Sequence, residues 1–317
     1  MRVYFYKITG LANNPDVWAG LLKQYKNIDT AVGRSFPAST ENGNEVHLLA
    51  KECDFVHFNN TYQSFHGMAN KSLMHYHGHP DRENDCPGAR LHKNFPHKVI
   101  INPGHFVAGD GERMGLEACD SSYEPFRWFP IDLNSEFYDV TNPTDKIRIC
   151  YTPSKAHSPS AYHGKAYNRT VAALQRLQLK HGDKFEYVVV TGQSYGHCLK
   201  TKALCNVVID ECISGCYNMS GMEGVGMGKL TIGFLSDATK DLLLKRLCPR
   251  AERAPYESVY IDELETYLDD LIEKQKLDFI LQRGKDNKEW MEKNWNLNEM
   301  LDEMISRYEN IMKGDPK

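Results

Sequence analysis

Short apolar runs rich in β-branched and aromatic residues punctuate this chain, and most are followed by a stretch with helical spacing. That alternation limits the folds open to it. In the first half the runs are Val3 to Ile8, Cys53 to Phe58, Ser72 to His77 and Val99 to Asn102; in the second they are Ile147 to Tyr151, Tyr187 to Thr191, Asn206 to Ile209 and Leu230 to Phe234. Runs of this length without polar alternation suit parallel strands buried on both faces. Asn14-Pro15 reads as an N-cap and first helical residue, opening a segment with Val17, Leu21, Leu22 and Tyr25 on one face. Residues 161–180 place Tyr167, Val171, Leu174 and Leu177 at helical spacing. Strands alternating with helices predict βαβ units and doubly wound sheets, an α/β fold.

At 317 residues the chain exceeds the usual size of one core, so two domains are expected. The turn residues Thr-Asn-Pro-Thr-Asp at 141–145 interrupt the pattern and predict the join there. This gives a first domain over 1–145 and a second over 146–295. Residues 296–317 form a final helix: Asn296 and Glu299 make a capping box, and Leu297, Met300, Leu301, Met304, Ile305, Tyr308 and Ile311 form an apolar stripe that needs a surface to cover it.

Charge and cysteine usage narrow the class. With 38 basic and 42 acidic residues the net charge is −4, which argues against a chain wrapped in nucleic acid while leaving room for a local basic patch. No apolar run reaches the roughly 18 residues that a membrane span requires. The first residues, Met-Arg-Val-Tyr-Phe-Tyr-Lys-Ile, read as an opening strand, not a signal peptide. Nine scattered cysteines, an odd number with no C-x-x-C pair, are expected as free thiols in a reducing cytoplasm.

The most informative segment runs from Asp210 to Leu230, between two predicted strands. A loop of small residues, Asn218 to Gly221, leads into a short helix carrying Glu223. Backbone N–H groups at a helix N-terminus favour a phosphate or diphosphate, and a carboxylate one turn on can accept bonds from a ribose diol. The plain alternative is a glycine-rich turn with a surface glutamate, because glycine spacing alone is weak evidence.

Residue order adds to spacing. Gly215, Tyr217, Ser220, Glu223, Met227, Gly228 and Lys229 resemble the donor motif of the GT-B glycosyltransferases, specifically the retaining family 4-like (group 1) enzymes. There a Gly-x-Tyr-Gly-type loop precedes Glu-Ala-Met-Ala-x-Gly-Lys-Pro-Val. Cys53-Asp54-Phe55-Val56-His57, Tyr76-His77-Gly78, Phe129-Pro130-Ile131-Asp132, and Thr152-Pro153-Ser154 followed by Lys165 resemble other segments of that group, in the right order.

The resemblance implies two Rossmann-like domains facing across a cleft, with the C-terminal helix packing back on the first. It implies transfer from a nucleotide sugar, UDP- or GDP-linked, to an acceptor hydroxyl with retention and without an essential metal or other cofactor. Glu223 would bind donor hydroxyls. Asn218, Met219, Ser220 and Gly221, with Tyr217 before them, would meet the sugar and diphosphate. Lys165, helped by Lys155, would neutralise the diphosphate; Gly192 would lie near the base, Gly10 near the diphosphate, and His77 near the transferred sugar. The acceptor would be a surface glycan or a lipid-linked saccharide, in the cytoplasm or peripheral to the inner membrane. The alternative acceptor is a hydroxymethylated DNA base in a phage-infected cell, for which Arg82, Arg90, Lys93 and Lys98 in residues 79–98 offer a basic loop. Two departures stand out: the group's first glutamate falls at Gly215, and its proline after Gly-Lys is Leu230.

Two other constellations compete. His75, His77, His79 and Asp81 alternate at a strand end, with Cys86 nearby, as in a zinc-dependent hydrolase, although no downstream ligand set follows. Gly192-Gln193-Ser194-Tyr195-Gly196 imitates a nucleophile elbow without convincing Asp and His partners.

Overall fold

The structure, a computed structural model, describes residues 1–7, 14–34, 50–59, 71–77, 99–101, 123–153 and 166–314. The chain divides into two compact units. The first comprises the described residues up to Ile101, those from Tyr123 to Pro130, and Leu297 onward; the second runs from Ile131 to Asn296.

In the first unit, six parallel strands are arranged β2-β1-β3-β4-β5-β6: β1 Arg2–Lys7, β2 Asp29–Arg34, β3 Phe55–Asn59, β4 Ser72–Tyr76, β5 Val99–Ile101 and β6 Tyr123–Pro125. Every residue of β3 and β4 is buried, as uninterrupted apolar runs require. Asp-Thr-Ala-Val-Gly-Arg of β2 has no such run because it is an edge strand, and Val32 is left partly in water. Helix α1 (Asn14–Lys26) opens at Asn14-Pro15 as expected and buries Trp18, Leu21 and Leu22. Trp18 stacks on Trp128 at 5.0 Å, and its indole N–H donates to the Trp128 carbonyl at 2.8 Å.

The second unit holds a five-stranded parallel sheet in the order β11-β10-β9-β7-β8: β7 Ile147–Tyr151, β8 Phe185–Val189, β9 Val207–Ile209, β10 Leu230–Gly233 and β11 Glu257–Ser258. The helices following strands are α2 Tyr167–His181, α3 Tyr195–Ala203, α4 Met219–Gly226 and α5 Asp237–Leu242; α6 Leu264–Glu273 and α7 Leu277–Asn294 close the unit. Ile149, Tyr151, Leu174, Val207, Ile209, Ile232, Leu264, Leu268 and Ile272 build one continuous core. Along the surface, Arg176 of α2 pairs with Glu265, Lys180 with Asp269, and Lys184 with Glu273, a ladder that solvent screens strongly.

The apolar stripe of the last helix, α8 (Leu297–Met312), finds its surface on the first unit. Tyr308 packs on Phe55 at 4.5 Å, and its hydroxyl is 2.7 Å from His57 Nδ1. Arg307 grips Glu124 through two bonds of 2.8 Å. Among the described residues, no helix is long and apolar enough to cross a membrane.

His57 is fully buried, and desolvation pushes its pKa down from 6.5 to about 3. Between these values the unfolded chain binds a proton that the folded chain does not, so stability is lost as pH falls from 6.5 towards 3. His57→Gln, which cannot titrate, is therefore expected to flatten this acid dependence. Denaturant melts across the window test it: parallel stability curves for the two proteins would contradict the assignment.

Candidate functional site

Open α/β sheets bind ligands outside the carboxyl ends of their strands, where the winding reverses. In the second sheet β7 lies between β8 and β9, so the reversal falls between β7 and β9. The loops leaving those two strands meet there: the Thr152 hydroxyl is 2.8 Å from the Ser220 hydroxyl, and the Asn218 backbone N–H donates to Asp210 at 2.8 Å. Asp210 is buried and also accepts from the Tyr256 hydroxyl at 3.4 Å. The glycine-rich segment is thus anchored at the reversal and delivers the first residue of α4, Met219, beside it.

Asn218 is the N-cap of α4 by backbone conformation, yet its side chain caps nothing, and its Nδ2 is buried without a hydrogen-bond partner. The first amides of α4 therefore keep their capacity for an anion. Gly221 has a separate, packing reason to be glycine. A Cβ there would lie 2.2 Å from the Tyr256 hydroxyl and 2.6 Å from Asp210 Oδ2. Tyr217 is buried and meets Trp295 edge-on at 6.0 Å.

Glu223 is only 2% exposed. Its Oε2 forms an ion pair with Lys202 of α3, itself 2% exposed. Burial and the Glu223 carboxylate beside it raise the Tyr195 pKa, and Tyr138 is raised for the same two reasons, so both phenols keep their protons. The other carboxylate oxygen, Oε1, is buried and takes no hydrogen bond. Lys229, two residues after the end of α4 region at Met227, is buried with Nζ on Asn142 at 2.7 Å and on the Ala203 carbonyl at 2.9 Å; desolvation lowers its pKa to about 8.

Gly215 explains the missing first glutamate. Its φ is +80°, in the left-handed region, and a Cβ there would press to 3.0 Å against Ser236 Cβ. Gly192 follows β8 with φ +66° and open space where a side chain would point.

In the first unit, His77 lies just beyond β4, half-buried, with Nε2 2.9 Å from Asn59 Oδ1. Its ring stacks on His75 at 4.3 Å with 24° between planes. Stacked rings place their nitrogens side by side and not towards one point, which does not suit chelation. Among the described residues no group of three His, Cys, Asp or Glu side chains can hold a metal ion. Ser194 is a helix cap, its hydroxyl accepting from the His197 backbone N–H at 3.3 Å. Gly10, Lys155, Lys165, His79, Asp81, Cys86 and the basic loop over 79–98 lie outside the described residues.

Sequence reasoning missed Lys202, Asn59 and Tyr195. A signal existed for the first: Lys202 sits three residues after Leu199, on the buried face of α3.

No protein-family model matches this chain, and no curated protein sequence matches it. Solved structures do match. The sucrose-phosphate synthase of Thermosynechococcus elongatus superposes with a TM-score of 0.59 at 10% identity, covering 99% of this chain and 100% of that one. WaaG, a glycosyltransferase involved in lipopolysaccharide biosynthesis, gives 0.53 at 10% identity over 98% and 100%. TarM of S. aureus, solved with UDP and α-GlcNAc-glycerol, gives 0.50 at 10% identity over 93% of this chain and 59% of that one. The fold is that of the GT-B glycosyltransferases, with two Rossmann-like domains, as the resemblance implies.

Removing Lys202 alone strands a buried carboxylate. Lys202→Met is expected to destabilise the protein by about 3–5 kcal/mol, whereas Lys202→Met with Glu223→Leu recovers most of the loss. Urea melts of both variants test this; equal losses would show that the two side chains do not act as a pair.

Proposed function

We propose that the chain is a glycosyltransferase that binds a nucleotide-activated sugar at the head of the second sheet and transfers the sugar to an acceptor hydroxyl. The observation that carries this reading is the buried, unpartnered Oε1 of Glu223. Leaving such an acceptor unsatisfied costs about 1–3 kcal/mol, and a hydroxyl donor from a ligand removes that cost. Five residues earlier, the unpartnered Asn218 Nδ2 is a donor at the N-terminus of α4. An acceptor for a hydroxyl and a donor for a phosphate, joined by one short helix, match the two chemistries of a sugar nucleotide. The GT-B fold supports the same reading.

In the reaction, the bond from the anomeric carbon to the diphosphate oxygen breaks, and its electron pair stays on the diphosphate. The acceptor oxygen forms the new bond to the anomeric carbon and gives up its proton to the departing diphosphate. Charge growing on the diphosphate would be met by the first amides of α4 and the Asn218 amide, a preorganised set of donors that need not reorganise as the bond breaks. Lys165 is the proposed cation, Gly192 the proposed neighbour of the base and Gly10 a proposed diphosphate contact. His77 is the proposed substrate-contacting group of the first unit. Met219, Ser220 and Gly221 are proposed to contribute through their backbone, because Ser220 is tied to Thr152 and Gly221 has no side chain. Tyr217 shapes the loop from beneath by its packing on Trp295. Retention at the anomeric carbon follows from the resemblance. A glycan or lipid-linked saccharide is the proposed acceptor, in line with the role given for WaaG and the saccharide seen in TarM.

A thermal-shift and calorimetry panel of UDP, GDP, ADP and their common sugars, run on wild type and Glu223→Gln, tests the donor assignment. One nucleotide sugar is expected to stabilise the wild type, by about 2.7 kcal/mol at a hundredfold excess over Kd, and to bind the variant more weakly. No stabilisation by any of them would overturn it.

A further inference from the structure

Arg253 lies between α5 and β11, and both its main chain and its side chain are fixed against α7. The Trp290 indole N–H donates to the Arg253 carbonyl at 2.8 Å. Nη1 of the guanidinium donates to the Ala254 carbonyl and to Asn287 Oδ1, each at 3.1 Å. Asn287 is buried, and its Nδ2 donates to the Lys229 carbonyl at 2.9 Å, so Oδ1 is the atom that faces the arginine. Those two bonds use both hydrogens of Nη1. The Nε hydrogen and the neighbouring Nη2 hydrogen point the same way and form the edge that matches a carboxylate or a phosphate. Neither nitrogen bonds a described residue, and neither is sealed from water.

Both bonds of the guanidinium go to neutral oxygens, so among the described residues its charge meets no carboxylate at contact distance. Arg253 is half-buried. Burial, and after it the positive charge of Arg283, hold its pKa below the usual arginine range, against the pull of Asp286 and Glu257. Glu257 is occupied elsewhere: Arg283 grips it through Nε at 2.6 Å and through Nη2. Asp286 lies 3.9 Å from Arg283 Nη1. If Arg253 served only to tie its loop to α7, a neutral amide group would make the same two bonds without taking a cation out of water. We propose that Arg253 is an oxyanion-binding site on the second unit, with Nε–H and Nη2–H holding two oxygens of one phosphate or carboxylate group of a ligand. Asn287, Ala254 and Trp290 set the edge before the ligand arrives, so little side-chain freedom is lost on binding. The site does not depend on the donor-binding reading, since none of Asn218, Lys202 and Glu223 takes part in it.

Proton–nitrogen spectra of the Nε–H groups in the full-length protein, labelled with ¹⁵N-arginine, test the site, with Arg253→Lys assigning the Arg253 signal. Titration with inorganic phosphate, and separately with acetate, is expected to move that signal along a saturable curve. Sodium chloride at matched ionic strength is expected to leave it in place, because a single-atom ion cannot span the edge. Tighter binding of phosphate points to a phosphoester ligand and tighter binding of acetate to a carboxylate; either order supports the site. Calorimetry with the tighter anion is expected to give an affinity about tenfold lower for Arg253→Lys, whose ammonium is a point charge without the paired edge. Asn287→Leu is expected to bind severalfold more weakly while keeping the Arg253 Nε–H signal. No saturable shift with either anion overturns the proposal, as does an equal shift with chloride or an Arg253→Lys protein that binds as the wild type does. Should Asn287→Leu fail to fold, the wild type and Arg253→Lys decide.

Discussion

A carboxylate cannot remain ionised out of water without a cation beside it, and Lys202 is the cation that lets Glu223 lie inside the second unit. The pair joins α3 to α4 at a fixed point, so two helices that follow different strands share one electrostatic anchor. Because Lys202 occupies only Oε2, the anchor leaves Oε1 as a buried acceptor with nothing to accept. The same contact thus holds the helix and leaves one carboxylate oxygen without a hydrogen-bond partner. A hydrophobic pair of similar volume would stabilise the fold as well and could bind no hydroxyl.

Sheet topology decides where such groups can gather. In the second unit the winding reverses between β7 and β9, and the loops carrying Thr152, Asp210 and Asn218 converge there. In the first unit the reversal lies between β1 and β3, where the Tyr6 carbonyl receives Asn59. Each sheet therefore brings polar groups to the one region where parallel strands leave room for a ligand. The core beneath supplies rigidity: Trp18, Trp128, Phe126 and Tyr308 in the first unit, and the Ile, Val and Leu cluster of the second.

Central strands were legible in the sequence because burial on both faces demands unbroken apolar runs, as in Phe55–Asn59 and Ile147–Tyr151. The edge strand β2 and the two-residue β11 were not, since an edge needs no such run and β11 pairs through only two residues. The strand expected at Tyr187 to Thr191 lies two residues earlier, at Phe185–Val189, with Phe185 buried. The glycine loop and Glu223 were visible as a motif, but their environment was not. Lys202 comes to Glu223 from 21 positions away, a pairing that only the tertiary fold creates. The glycine at 215 looked like a lost carboxylate; its left-handed φ shows a backbone turn that excludes a longer side chain. Among the histidines, spacing could suggest chelation, and only ring geometry distinguishes stacking from convergence.

The most direct test of the central claim compares a nucleoside diphosphate with its 2′,3′-dideoxy analogue, binding each to wild type and to Glu223→Gln by calorimetry. If Oε1 accepts a ribose hydroxyl, the wild type loses roughly tenfold or more in affinity for the dideoxy ligand, and the variant discriminates far less. Equal discrimination by both proteins would contradict the account and leave Glu223 as a buried structural carboxylate.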